Sequence, residues 1–188
     1  MLEEIQGGIG IPNLLWHGEN GDFNFLITDL LGASLEDYLD ICKGKFSLKT
    51  TLMLADKILS SLEFIHYKGF VHRDVQPGNF LMGLGKKLHQ VYTIDYAFAT
   101  PYNEPVLNRH RPDNHNQANE SFVGTLRFMS LNTLQGHRHS RRDDLESLCL
   151  MLIYFMKGQL PWDEPDSEAS PKQRRREILK VMQELTIE

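Results

Sequence analysis

The longest regular pattern of apolar residues runs from Ser47 to Gly69, where apolar side chains recur at steps of three and four residues. Such steps place side chains on one face of an α-helix. Ser47 is suited to cap the first turn of this helix, and Gly69 is suited to end it. The sequence therefore predicts a long amphipathic helix whose apolar stripe is formed by Leu52, Ala55, Ile58, Leu59, Leu62 and Ile65.

Three further helices are predicted. The stretch RRDDLESLCLMLIYFMKG, which ends at Gly158, is apolar on nearly all faces in its later turns, as is typical of a buried helix. Ser34 followed by Asp37 has the pattern of a capping box and predicts a short helix. The tail from Lys172 to Glu188 has the pattern of an exposed amphipathic helix.

Short runs of aromatic and branched residues predict a small amount of sheet. Phe23–Leu30 (FNFLITDL) has the composition of a buried strand, and FVH and Val91–Asp95 each predict a short strand. The polar stretch from Ala97 to about Glu120 predicts a long loop, and loops of that length are uncommon unless they are functional or disordered. The expected fold class is α+β, with few strands followed mostly by helices.

Composition narrows the class of protein. The chain has 188 residues, 41% of them hydrophobic and 24% charged, which is typical of a soluble globular domain. A net charge of −5 argues against nucleic acid as a partner. The longest apolar run, Leu148–Met156, is shorter than the about 20 residues that a membrane span needs. Cys42 and Cys149 are too few for a disulfide framework, so the cytoplasm is the expected location, with the nucleus as an alternative.

The stretch HRDVQPGNF holds candidate chemistry. Asp74 and Asn79 are separated by five positions, and Asp95 follows a predicted strand. Carboxylate and amide oxygens are ligands that Mg²⁺ prefers. Phosphoryl transfer asks a protein mainly to position such groups and to neutralise charge. An acid and an amide at this spacing are therefore candidates for a phosphoryl-transfer site.

Four motifs in order strengthen this interpretation. HRDVQPGNFLMG, YTIDYA, GTLRFMSLNT and SRRDDLESL resemble the protein-kinase fold and, within it, the casein kinase 1 family of serine/threonine protein kinases. The resemblance extends over nearly the whole chain. It implies a partial kinase domain over residues 1–188, with the end of the N-lobe and the hinge in residues 1–31. Residues 32–188 would form most of a helical C-lobe that is truncated at its C-terminal end.

The resemblance implies roles for the catalytic loop. Asp74 matches the catalytic base, and Gln76 stands where the family carries a lysine near the transferred phosphate. Asn79 and Asp95 match the magnesium ligands, so ATP and Mg²⁺ are the implied cofactors. The alternatives are that Asp74 is a loop acid in a surface salt bridge and that Asp95 is an ordinary turn residue after a strand.

A nucleotide pocket is also implied. Thr28 matches the gatekeeper position, and Asp29 to Leu31 match the hinge, whose backbone hydrogen-bonds adenine. The other residues would line the pocket floor or lie near the ribose, although plain core packing explains the two floor residues equally well. The residues that the resemblance places around ATP are Thr28, Asp29, Leu31, Ser34, Asp37, Leu81 and Ile94.

The remaining matched residues concern substrate and support. Arg127 matches a basic residue that faces an anionic or phosphorylated substrate, and the run KQRRR, with Lys172 and Arg174, would assist it. Substrates with acidic or phosphorylated segments are therefore implied. The alternative for the run is a solvated helix face. Asp144 matches an acid that braces the catalytic loop by accepting backbone hydrogen bonds.

Departures from the family pattern leave two other hypotheses open. Gln76 removes a positive charge, which we expect to slow transfer by about ten- to a thousand-fold. Gly78 replaces an acid, and Ala97 replaces a glycine, which is expected to strain the loop if that position has positive φ. We find no phosphate loop, strand lysine or helix glutamate in the sequence, and interpret GGIG at Gly7–Gly10 as a turn. The first of these hypotheses is that the chain is a pseudokinase that acts as a binding or scaffolding module. The second is that it is a truncated product without a stable fold.

Overall fold

The structure is a computed structural model that describes residues 1–104, 109–110, 123–163 and 170–185. In these ranges the α-helices are α1 (Leu35–Ile41), α2 (Leu48–Tyr67), α3 (Leu131–Gln135), α4 (Arg141–Lys157) and α5 (Pro171–Glu184). The strands are β1 (Leu14–Asn20), β2 (Phe23–Thr28), β3 (Phe70–Val71), β4 (Phe80–Met82), β5 (Val91–Thr93), β6 (Thr100–Pro101), β7 (Asn103–Glu104) and β8 (Arg109–His110). The strands pair only in twos, all antiparallel, as β1–β2, β3–β6, β4–β5 and β7–β8.

Helix α2 lies at the centre of the core and packs on both α4 and β5. Its N-cap is Ser47, as predicted, but its buried face differs from the predicted stripe: Leu52 is 59% exposed and Leu59 is 49% exposed. Two of the positions that turn inward carry small polar side chains, Thr51 and Ser61, and the Ser61 hydroxyl lies 2.6 Å from that of Thr93 in β5. Because these small polar residues occupy the buried face, apolar periodicity alone predicts a face that is rotated about the helix axis from the face that is buried.

Helix α4 begins at a capping box of Ser140 and Asp143, and it ends, as predicted, at Gly158, whose φ of +77° suits only glycine at low cost. The prediction that its later turns are buried on nearly all faces is wrong. Ile153 is 42% exposed and Met156 is 37% exposed. Its buried face instead includes two acids, Asp143 and Asp144, in the first turn. The helix is therefore half-buried, with carboxylates directed toward the protein interior.

The β1–β2 hairpin corrects another prediction. A buried strand was expected over Phe23–Leu30, but the strand ends at Thr28 and all its other residues are exposed. Phe23 is 71% exposed, and Trp16 and Ile27 form an exposed cross-strand pair. Among the described residues β2 pairs only with β1, so its aromatic composition predicts a strand correctly but does not predict that the strand is buried.

Several smaller predictions are confirmed. Ser34 and Asp37 form a reciprocal capping box at the start of α1. The tail forms α5, which is mostly exposed apart from Ile178. The prediction of a long loop from Ala97 to about Glu120 is not confirmed in its described part, which contains β6, β7 and β8, and residues 105–108 and 111–120 lie outside the described residues. Within the described ranges, no helix has the length and apolar character required to cross a membrane.

Candidate active site

The loop predicted to be catalytic, called the catalytic loop below, follows β3 and is held in a strained, buried conformation. Arg73 has a φ of +70°, which is rare for a residue with a side chain. Asp74 comes next and is 5% exposed, and Pro77–Asn79 form a 3₁₀ turn that leads into β4. Among the described residues Asp74 pairs with no cation, so it is not the acid of a surface salt bridge.

Both carboxylate oxygens of Asp74 are hydrogen-bonded by neutral donors. Oδ1 accepts from the backbone N–H of Thr125 at 2.9 Å and from its hydroxyl at 2.8 Å. Oδ2 accepts from Nε2 of Gln76 at 2.9 Å and from Nδ2 of Asn79 at 2.8 Å. A carboxylate has about four acceptor sites, so this one is fully used and fixed in orientation.

Asn79 connects Asp74 to the strand that leads to Asp95. Its Nδ2 also donates to the carbonyl of Asp74 at 2.8 Å, and its own carbonyl accepts from the N–H of Ile94 at 2.9 Å. Its Oδ1 receives no hydrogen bond from a described residue. The amide is thus anchored through its nitrogen, and its oxygen is left for a metal ion or water.

Asp95 lies just beyond β5 in a left-handed conformation, with φ of +58°. It is exposed, and its Oδ1 accepts from the N–H of Ala97 at 3.1 Å. The strain expected at Ala97 is absent, because the positive φ of this loop falls on Asp95. Tyr96 is accommodated as well, since its hydroxyl donates to the carbonyl of Thr93 at 2.7 Å and burial raises its pKa.

A cavity of about 890 Å³ adjoins these residues. A volume of this size is typical of a cofactor pocket, at about 300–1,000 Å³. The hydroxyl of Thr28 lies 3.4 Å from the carbonyl of Asp29. The structure brings together in the cavity wall the predicted residues Thr28, Asp29, Leu31, Leu81, Ile94 and Asp95.

The two predicted ribose residues are placed differently. Ser34 and Asp37 do not line the cavity, because their side chains bond each other in the capping box of α1. The hydroxyl and backbone N–H of Ser34 lower the pKa of Asp37. Ser34 nevertheless forms a β-bridge with Leu81, which places it next to the cavity wall.

The segment predicted as the hinge leaves backbone groups for a ligand. Asp29 exchanges backbone and side-chain hydrogen bonds with Asn13, including one from Nδ2 of Asn13 at 2.8 Å. The N–H of Gly32 donates to the carbonyl of Met82 at 2.8 Å. Between them, the N–H and carbonyl of Leu31 make no hydrogen bond to a described residue. A planar ligand in the cavity therefore finds a free donor and a free acceptor at Leu31.

Asp144 supports the catalytic loop from α4. Its oxygens accept from the backbone N–H groups of His72 and Arg73, both at 2.9 Å, and from Nε2 of His66 and His139, both at 2.8 Å. Burial alone would raise the pKa of Asp144, but the hydrogen bonds from the two imidazoles outweigh it and hold the pKa well below its usual range. The catalytic loop is thereby anchored to an ionised, fully buried carboxylate.

Sequence reasoning missed Thr125 and His139. Gly124 was a usable signal for Thr125, since its φ is +98° and a Cβ there would collide with the carbonyl of Arg73. Only glycine lets this segment approach the catalytic loop closely enough for Thr125 to reach Asp74. No comparable signal exists for His139, whose partner is known only once α4 is placed.

The predicted substrate residues are not brought together. Nε of Arg127 lies 2.8 Å from Oδ1 of Asp163, and its guanidinium stacks on Tyr154, with 38% of the side chain exposed. The N–H of Arg127 is not directed at the Asp163 oxygen, so this is an ion pair without a good hydrogen bond. Lys172 is exposed and Arg174 half-buried on α5, and neither makes a contact with Arg127 among the described interactions.

One residue of the basic run, Arg175, has a structural role. Arg175 donates from Nε at 2.9 Å and from a terminal nitrogen at 2.6 Å to the carbonyl of Leu134, near the end of α3. These bonds attach α5 to α3. The interpretation of the whole run as a solvated face is therefore wrong for this position, while Lys172 and Arg176 are exposed.

The donor set fits magnesium better than a transition metal. Asn79 Oδ1 and the Asp95 carboxylate are hard oxygen donors, and the backbones of Asn79 and of Ile94, which precedes Asp95, are hydrogen-bonded. Among the described residues there is no group of three or more His, Cys, Asp and Glu side chains that would hold a metal by themselves. Magnesium with two protein ligands, bound together with phosphates, is consistent with both observations.

A comparison with known families agrees with this geometry. The family described as the protein kinase domain matches residues 13–188, which is most of the chain. The matched region contains the loop of Asp74, the buried brace Asp144 and the cavity residues from Thr28 to Asp95. The chain belongs to the protein kinase domain family.

Proposed function

We propose that this chain is a serine/threonine protein kinase domain of casein kinase 1 type, which transfers the γ-phosphate of ATP to proteins with acidic or phosphorylated segments. Membership of the protein kinase family supports a phosphotransferase that uses ATP and Mg²⁺. The resemblance of the four motifs supports the casein kinase 1 type. The observation that carries the proposal is the fixed Asp74 carboxylate beside the unbonded Oδ1 of Asn79.

In this proposal Asp74 orients the substrate hydroxyl and receives its proton. Because all four acceptor sites are used, the hydroxyl has to replace one donor or share its site. Gln76 is the candidate for replacement, since it is half-buried and neutral and donates one hydrogen bond to Asp74. Thr125 and Asn79 each donate two hydrogen bonds to Asp74. The absence of a cation at position 76 then limits the rate.

The cavity would hold the nucleotide. Leu31 offers backbone groups to adenine, Thr28 and Leu81 bound the pocket, and Asn79 with Asp95 would hold magnesium on the phosphates. Magnesium supplies the neutralisation of phosphate charge when it is bound. On this view residues 1–31 form the hinge side of the site and residues 32–188 the helical lobe.

Substrate selection would depend on the basic residues. Lys172 and Arg174 on α5 are candidates for an acidic or phosphorylated segment. Arg127 takes part only if the substrate anion competes with Asp163 for its guanidinium. The cytoplasm, with the nucleus as an alternative, remains the proposed location.

The test is phosphate transfer from labelled ATP to an acidic peptide. We expect slow, magnesium-dependent incorporation on serine or threonine, and its loss in Asp74→Asn. Asp40→Asn, at an exposed acid on α1, is the matched control and should leave the rate unchanged. Equal incorporation by the wild type and Asp74→Asn would overturn the assignment of the base.

A pseudokinase is the second candidate, favoured by the hydrogen bond from the neutral Gln76 to Asp74. A binding module of this kind would be stabilised by Mg-ATP without transferring phosphate. The two candidates separate when the melting temperature and transfer are measured on the same preparation. A rise in melting temperature with no transfer in either the wild type or Gln76→Lys supports the binding module.

A further inference from the structure

A second cavity, of about 420 Å³, is lined by Asn13, whose hydrogen-bond partner Asp29 lines the nucleotide cavity. We call it the glycine-loop cavity. It is lined by the loop Gly7–Gly10, by Lys57 and Ser60 of α2, and by the segment from Lys87 to Tyr92. It shares no lining residue with the nucleotide cavity, so it is a separate site.

Two cations line this cavity without a counter-ion. Neither Lys57 nor Lys87 has a carboxylate within 4.0 Å among the described residues. The ammonium of Lys87 lies 6.0 Å from the ring centre of Tyr92, which also lines the cavity. The lining contains His89 as well and a single acid, the exposed Asp56. Two lysines from separate elements facing one concave space favour an anion there.

The loop Gly7–Gly10 lines the same cavity as these lysines. A Cβ at Gly8 would collide with the ring of Phe64, and a Cβ at Gly10 would lie 2.9 Å from that of Ser61. Both glycines therefore allow the loop to rest directly on α2, the helix that bears Lys57. The backbone N–H groups of Ile9 and Gly10 donate to no described residue. Unpaired backbone N–H groups next to ammonium groups are the donors that phosphate groups prefer.

We propose that the glycine-loop cavity binds a small phosphate-bearing anion of about diphosphate size. The volume lies within the about 300–1,000 Å³ of ordinary small-molecule sites. Lys57 and Lys87 supply the charge, and the Gly7–Gly10 backbone and the Ser60 hydroxyl are the neutral polar groups beside them. The site is independent of magnesium, because its lining offers cations and N–H donors and only one carboxylate.

The test is calorimetric titration of inorganic pyrophosphate into the full chain in the presence of EDTA. Removing magnesium suppresses pyrophosphate binding through Asn79 and Asp95 in the nucleotide cavity. We expect a Kd of about 1 mM or below. The double variant Lys57→Ala, Lys87→Ala should weaken binding by about tenfold or more, since two charge-assisted contacts are lost.

Matched controls come from neighbouring lysines outside the lining. Lys49→Ala on α2 and Lys86→Ala beside Lys87 remove the same charge and should bind as the wild type does. Asp95→Asn should also bind normally. Absence of pyrophosphate binding to the wild type, equal weakening by the control pair, or loss in Asp95→Asn alone would each overturn the proposal.

A second measurement needs no variant. Pyrophosphate should slow acylation of Lys57 and Lys87 in the wild-type chain, as followed by mass spectrometry, and should leave Lys49 and Lys86 unaffected. Uniform protection of all four lysines, or protection of none, would contradict the site. Because these readouts avoid phosphate transfer, failure of the kinase proposal leaves them interpretable.

Discussion

Thr125 donates two hydrogen bonds to one oxygen of Asp74, from its backbone N–H at 2.9 Å and from its hydroxyl at 2.8 Å. The two residues are 51 positions apart in the chain. Gly124 makes this approach possible, because its backbone lies against the carbonyl of Arg73. The orientation of Asp74 therefore depends on a segment that lies far along the sequence.

Replacing Thr125 by valine tests this relationship. Thr125→Val keeps the shape of the side chain but leaves Oδ1 of Asp74 with one donor fewer, and hydrogen bonds to charged groups contribute about 1.5–3 kcal/mol. We expect the free energy of unfolding to fall by about that amount and phosphate transfer to fall about tenfold or more. Urea unfolding and the peptide assay measure both. Thr125→Ser retains the hydroxyl and serves as the control; equal losses in both variants would show that the hydroxyl is not responsible.

Gln76→Lys should accelerate transfer. An ammonium at position 76 would pair with Oδ2 of Asp74 in place of the amide and would add positive charge near the transferred phosphate. The expected gain is about ten- to a thousand-fold in the rate of transfer to an acidic peptide. Gln76→Met, which has no donor and no charge, is the comparison. A rate unchanged by lysine would mean that another feature limits catalysis.

Asp144→Asn should destabilise the fold strongly. The amide cannot accept all four hydrogen bonds that the carboxylate accepts, so buried donors of His66, His139 or the catalytic loop lose their partner. We expect a loss of about 3 kcal/mol or more in the free energy of unfolding. Asp40→Asn, at an exposed position of α1, should change it little. A small effect of Asp144→Asn in urea unfolding would remove Asp144 from the support of the loop.

Acid should lower the free energy of unfolding in two separate pH ranges. Burial lowers the pKa of His72, so the unfolded state binds a proton that the folded state does not, and stability falls as the pH drops below about 6.5. The pKa of Asp144 is also lowered, so its contribution is fully present above the ordinary aspartate value of about 3.9 and declines below it. Urea unfolding measured from pH 8 to about pH 3 should show both declines. A stability that is constant between about pH 7 and 5 would contradict the neutral, buried His72.

Asn13→Ala should weaken nucleotide binding without touching the nucleotide. Asn13 holds Asp29, a residue of the proposed hinge, through side-chain and backbone hydrogen bonds. Loss of the side-chain hydrogen bond removes about 1 kcal/mol that stabilises the conformation of the hinge. Binding of Mg-ATP then has to supply this free energy, which corresponds to an about fivefold weaker Kd. Asn24→Ala, exposed on β2, is the control. Equal affinities of the two variants would mean that the Asn13–Asp29 contact does not shape the hinge.

Local signals in the sequence located the ends of three helices and indicated a protein kinase domain. Ser34 with Asp37, Ser47, and Gly158 mark helix ends through bonds and backbone angles that involve only neighbouring residues, and the structure agrees at each. The ordered motifs likewise predicted a kinase domain, which the family comparison supports over residues 13–188. Such features are readable because each depends on a few consecutive residues.

Burial and long-range contacts were decided by tertiary structure alone. The aromatic β2 is exposed because its only described partner is β1, and the buried face of α2 includes Thr51 and Ser61 because β5 approaches there. Thr125, which supplies two of the four donors to Asp74, and the Asp163 carboxylate that neutralises Arg127 both come from distant segments. The sequence by itself indicated Asp74, Asn79 and Asp95 as candidate groups of the site, but not Thr125. Only the folded chain determined which of them meet, because the distance between two side chains depends on how whole elements pack and not on their spacing along the chain.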